Sequence, residues 1–87
     1  MFDMERQKLL EQGKATLNVT VAGMRQRQDF TLEREETPYG KVPFLTCTRV
    51  LPLHELLKIS EEFQLPVKCA GQKVFPKGKS PRDFAGQ

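Results

Sequence analysis

Ala15-Thr16-Leu17-Asn18-Val19-Thr20-Val21-Ala22 is the stretch that decides how this chain folds. Apolar Ala15, Leu17, Val19 and Val21 alternate with polar Thr16, Asn18 and Thr20. Successive side chains of a strand point to opposite faces, so a period of two marks a strand buried on one side. Gly23 then opens a polar stretch, Met24 to Asp29, that carries Arg25 and Arg27, after which Phe30 and Leu32 alternate with Thr31 and Glu33. Two consecutive strands with a short connection pair antiparallel. The expectation is a hairpin with both arginines at its turn.

Moving towards the C-terminus, Glu35, Glu36, Thr37, Pro38, Tyr39 and Gly40 read as a loop. A third strand over residues 43–51 has Phe44, Leu45, Cys47 and Val50 spread over both faces, the pattern of a central strand covered on each side. Pro52 suits the first turn of a helix, where its missing N–H does no harm. At about 100° per residue, Leu53, Leu56, Leu57, Ile59, Ser60 and Phe63 share one arc of that helix. His54, Glu55, Lys58, Glu61 and Glu62 face the other way. Pro66 stops the helix, and residues 67–69 and 73–75 read as short strands around Ala70-Gly71-Gln72.

Towards the N-terminus, residues 4–12 hold good helix formers and no β-branched residue, with Gly13 as a stop. Phe2, Leu9 and Leu10 give this helix a narrow apolar stripe, which predicts weak docking. Together these readings predict an α+β fold. A small, three- to five-stranded, mostly antiparallel sheet carries one main amphipathic helix on one face and a short peripheral N-terminal helix.

Eighty-seven residues with a hydrophobic fraction of 38% and a mean hydropathy of −0.51 make one domain with a thin core. We place that domain at residues 1–75 and read residues 76–87 as a basic, flexible tail. No apolar run approaches the roughly 20 residues of a membrane-spanning helix. The charged start, Met1-Phe2-Asp3-Met4-Glu5-Arg6, lacks the apolar stretch of a signal peptide. Both readings make a cytoplasmic location, with no membrane partner, the expectation.

Charge is unevenly placed. Residues 68–87 hold Lys68, Lys73, Lys77, Lys79 and Arg82 against Asp83 alone, a balance of +4, whereas residues 1–67 carry nine basic and ten acidic residues. A chain that is basic at one end has a preferred side for meeting an anion.

Motifs for chemistry are sparse. Gly78-Lys79-Ser80 ends like a phosphate-binding loop, but Lys73 stands where that loop needs glycine and Pro81 follows where it needs a helix. Cys47, His54 and Cys69 are the metal-ligating residue types, scattered rather than in close pairs, so no metal site, no cofactor site and no catalytic residue is assigned. The two cysteines are read first as small buried hydrophobes, with a redox pair as the alternative because both fall in predicted strands that could neighbour each other.

The order helix, three strands, helix is similar to that of the double-stranded RNA-binding domain, whose second helix opens on lysines. Pro52, Leu53, His54 and Glu55 stand at those positions here, so the likeness stops at element order. The functional expectation is a small non-enzymatic module that contacts nucleic-acid phosphates through Arg25, Arg27, Lys73, Lys77, Lys79 and Arg82. The alternative is a protein-interaction or homodimeric adaptor module that uses an exposed sheet edge.

Overall fold

The computed structural model describes residues 3–87. Helix α1 (Asp3–Gln12) leads into strands β1 (Lys14–Val21), β2 (Met24–Thr37) and β3 (Gly40–Cys47). Helix α2 (Leu53–Phe63), two short strands β4 (Val67–Cys69) and β5 (Gln72–Val74), and a 3-10 turn at Pro81–Asp83 follow. The strands form one sheet in chain order. Its neighbours are antiparallel except β3 and β4, which run parallel on either side of the α2 crossover. This is the expected α+β architecture, with one parallel pairing added.

Turn chemistry explains where the hairpins close. Ala22 and Gly23 both take positive φ, 52° and 76°, and Ala70 and Gly71 repeat the pattern at 50° and 85°. Two consecutive left-handed residues make the two-residue turn whose twist matches that of antiparallel strands. Pairing therefore resumes at once, with Val21 opposite Met24. Arg25 and Arg27 consequently lie within β2, opposite Thr20 and Asn18, and not in the turn where the polar run placed them. β2 is long for the same reason: its first half pairs with β1 alone, and pairing with β3 begins at Thr31.

Register assigns the faces. Ala15, Leu17 and Val19 stand beside Phe30, Gln28 and Gln26, and the same face continues through Leu32, Leu45, Val67 and Val74. Val42, Phe44 and Thr46 occupy the opposite face of β3 and are also buried, so β3 is covered on both sides as its sequence suggests. Pro43 is tolerated in this central strand because its register partner, Arg34, is a non-bonded one. The N–H that proline lacks would have pointed away from β2.

α2 supplies much of the core through Leu56, Ile59 and Phe63, none more than 3% exposed. Each such burial contributes roughly 1.5–3 kcal/mol. The buried arc is rotated from the expected one: Leu53 and Leu57 are 52% and 42% exposed, while Glu55 is only 5% exposed. The cause is polar. Glu55 Oε2 accepts the backbone N–H of Thr20 at 3.3 Å, which draws this side of the helix onto β1. The helix ends at Gln64 in the left-handed region, and Leu65, fully buried, anchors the exit.

α1 is held more firmly than its narrow stripe suggests. Leu9 is fully buried, and Arg6 Nε donates to the Phe63 carbonyl at 2.9 Å, tying α1 to the end of α2. Phe2, expected as a further anchor, lies outside the described residues.

The stretch 76–87, expected as a flexible tail, is folded against the sheet. Phe84 is 4% exposed, and Phe75 stacks edge-on to Phe44 at 5.8 Å and lies 6.4 Å from Phe84. Ser80 and Asp83 form a reciprocal capping box over the 3-10 turn. Gly86 N–H then donates to the Lys41 carbonyl at 3.0 Å, on the side of β3 that β4 is too short to reach. One buried phenylalanine and a capped turn outweigh the two prolines that made the segment look disordered.

Candidate binding surfaces

β1 is an end strand of the sheet, and register fixes which of its backbone groups face outward. Val21 pairs with Met24 across a two-residue turn, so odd-numbered residues of β1 bond to β2 and even-numbered ones point away. The Thr20 N–H follows this parity and reaches Glu55 on α2. Thr16 and Asn18 belong to the same outward row. A groove of about 320 Å³ runs along this edge, with Thr16, Leu17 and Asn18 on one wall and Lys58, Ile59 and Glu62 of α2 on the other. Arg25 and Glu55 close one end and Glu5 of α1 the other. A second concavity, about 680 Å³, lies beside α1 and the start of β1.

The six cations expected to meet phosphate are not gathered into one patch. Arg25 and Arg27 lie exposed on β2, near the first turn of α2, because Arg25 is the register partner of the Thr20 that Glu55 holds. Lys77 is at the other end of that helix, where its backbone N–H donates to Glu61. Lys79 and Arg82 follow in the C-terminal turns, both exposed. Lys73 is engaged: its Nζ is 2.7 Å from Glu35 Oε1 and 5.2 Å from the centre of the Phe44 ring. Lys68, 3.6 Å from the same carboxylate, shares it. The Lys73 hydrogen bond, more than the nearby Lys68 charge, holds the Glu35 carboxyl below its ordinary range. Among the described residues, Arg25, Arg27, Lys77, Lys79 and Arg82 make no ion pair.

The cysteines are brought together. Cys47 of β3 and Cys69 of β4 are direct register partners, and their sulfurs are 2.9 Å apart. Cys69 is 2% exposed, and burial, reinforced by the adjacent Cys47 thiol, pushes its pKa up to about 12. His54 is apart from them on the solvent side of α2, 3.9 Å from Glu55. Among the described residues, no group of three or more His, Cys, Asp or Glu side chains is placed to hold a metal ion. No described helix is long and apolar enough to cross a membrane.

Glu55 is the groove residue that sequence reasoning misplaced. Helical spacing sends it to the polar face, and nothing in the local sequence tells that an unpaired strand donor waits there. Compared with known protein families, curated proteins and solved structures, the chain matches none.

Proposed function

We propose that this protein is a non-catalytic binding module that accepts an extended segment of another protein as an added strand on the outer edge of β1. The observation that carries this reading is the split within one row of donors. The Thr20 N–H is satisfied by Glu55 across the groove, while the backbone N–H groups of Thr16 and Asn18 have no partner among the described residues; the Thr16 hydroxyl is turned to Asp29 at 2.7 Å. A strand laid along that edge gains main-chain hydrogen bonds from both, and its alternate side chains meet the α2 wall. Leu17 and Ile59 give the groove an apolar floor, and Lys58, Glu62 and Arg25 give it a rim of mixed charge.

The test is selection of a random peptide library on the full chain, followed by backbone amide shifts on adding an enriched peptide. Shifts concentrated at Thr16, Asn18 and the facing turns of α2 are expected. Asn18→Pro removes one outward donor without touching the bonds to β2, so it should leave the fold intact and abolish capture. Peptides that bind this variant as well as the parent chain would sink the reading, as would a library that yields none.

A second reading, contact with nucleic-acid phosphates, is favoured by one observation: Arg25 and Arg27 stand two residues apart in β2 with no acid among the described residues paired to either. Contacts of that kind weaken steeply with salt. Binding of a duplex or single strand that persists unchanged in Arg25→Ala/Arg27→Ala would remove this reading.

A further inference from the structure

The sulfur pair at the β3–β4 junction has no role in the groove. Cys47 and Cys69 face each other in register at the end of the parallel pairing, and their Sγ atoms at 2.9 Å are closer than two unbonded sulfurs ordinarily rest. Directly opposed residues of neighbouring strands keep their Cα atoms roughly 5 Å apart, inside the range that a disulfide spans. Bond formation then requires the sulfurs to close to about 2.05 Å with little backbone movement. Two thiolates sharing a tetrahedral zinc ion stand farther apart, roughly 3.7 Å from metal–sulfur distances of about 2.3 Å. The geometry therefore suits sulfur–sulfur bonding better than metal binding.

We propose that Cys47 and Cys69 are a reactive dithiol, converted to a disulfide by exchange with a small-molecule disulfide, with Cys47 as the entry sulfur and Cys69 as the resolving one. Accessibility separates the two roles. Cys47 stands at the end of β3 and is half-buried. Cys69, its register partner on β4, is 2% exposed, and burial disfavours its thiolate.

The steps balance. The Cys47 thiolate attacks one sulfur of the small disulfide, that S–S bond breaks, and one thiolate leaves. Cys47 now carries a mixed disulfide beside Cys69. Cys69 gives up its proton to solvent and its sulfur attacks Cys47 Sγ as the thiolate, the mixed disulfide breaks, and the second small thiolate leaves and takes up a proton. In sum, two protein thiols are oxidised to one disulfide and one small disulfide is reduced to two thiols. The bridge spans the α2 crossover and reinforces a parallel junction otherwise held by the register pairs Leu45–Val67, Thr46–Lys68 and Cys47–Cys69.

The test treats the reduced, folded full chain with oxidised glutathione at neutral pH and follows intact mass and free thiols. The wild-type chain should lose both thiols and two hydrogen masses, retain no glutathione, and melt at a higher temperature than before. Cys69→Ala should hold one glutathione on Cys47, formed at least tenfold faster than Cys47→Ala acquires one on Cys69. Two thiols surviving in the folded wild type, or a glutathione adduct that never resolves, would overturn the pair. Equal rates in the two variants would overturn the assignment of entry sulfur. Where either variant fails to fold, the wild-type mass still decides whether the pair forms.

Discussion

β1 and β3 each present a row of backbone groups that neighbouring strands leave wholly or partly unpaired, and the chain treats the two rows differently. Along β3 the row is closed: Gly86 donates to Lys41, Pro43 has no donor to lose, and Leu45 donates to Pro66. Along β1 one donor is closed by a side chain, Glu55 on Thr20, and the donors of Thr16 and Asn18 are left open. Unpaired edges invite association, and proteins ordinarily blunt them with proline, charge or covering chain. Here all those devices are spent on β3 and at one end of β1. The contrast leaves the remaining stretch of β1 as the open row on which the proposed strand would lie.

The contrast breaks most severely at Phe84. This side chain fastens the C-terminal segment beside Phe75, and with it the Gly86 bond that closes the β3 row. Phe84→Ala should cost about 3–5 kcal/mol in urea unfolding, the range for removing a buried aromatic ring. Faster exchange of the Gly86 amide should accompany it. A near-neutral change would show that the segment merely lies on the surface, and the two edges would then be alike.

Glu55→Ala acts on the other side of the comparison with a smaller expected effect. It leaves the Thr20 donor without its acceptor, at a cost of about 1–3 kcal/mol. It also lengthens the open row of β1 from Thr16 to Thr20. Urea unfolding gives the first quantity. Stronger capture of the selected peptides, or self-association of the variant, reports the second. A variant as stable as the parent would mean that water serves Thr20 equally well, and the rotation of α2 would need another cause.

Local patterns carried most of the architecture. The alternation from Ala15 to Val21 and the stop before Pro66 are properties of short windows and are realised as read; the third strand keeps its two apolar faces but runs Gly40–Cys47 and not 43–51, which leaves Val50 exposed. Most of what failed depended on partners far along the chain. Leu57 and Glu55 differ from their expected positions because a strand donor 35 residues from Glu55 sets the rotation of α2. Arg25 and Arg27 joined a strand because Ala22-Gly23 alone suffices for the turn. The order of segment 76–87 is not legible locally because it rests on Phe84 meeting Phe75, which itself packs on Phe44 of β3. The groove was the least legible of all. It exists between β1 and α2, and no sequence window contains both.

The smallest effect sharpens the comparison through pH. Asp83 accepts the backbone N–H of Ser80 at 2.7 Å and its hydroxyl at 3.1 Å, and the backbone bond is the larger cause that holds its carboxyl below the ordinary 3.8. A carboxyl whose pKa is depressed by folding adds stability that is fully present above its unfolded value and is lost as pH falls through the folded one. The closed edge of β3 should therefore loosen in acid, as protonated Asp83 releases Ser80 and the turn that precedes Phe84. Glu35, also depressed, loses its hold on Lys73 in the same direction, so the parent chain alone does not separate the two. Asp83→Asn does: it keeps one acceptor for Ser80 and removes the titration. Gly86 amide protection in this variant should stay level as pH falls below 3.8, while in the parent it declines, and the β1–β2 amides should behave alike in both. A parallel decline at Gly86 in both chains would place the acid sensitivity at Glu35 and leave the capping box without a part in closing the edge.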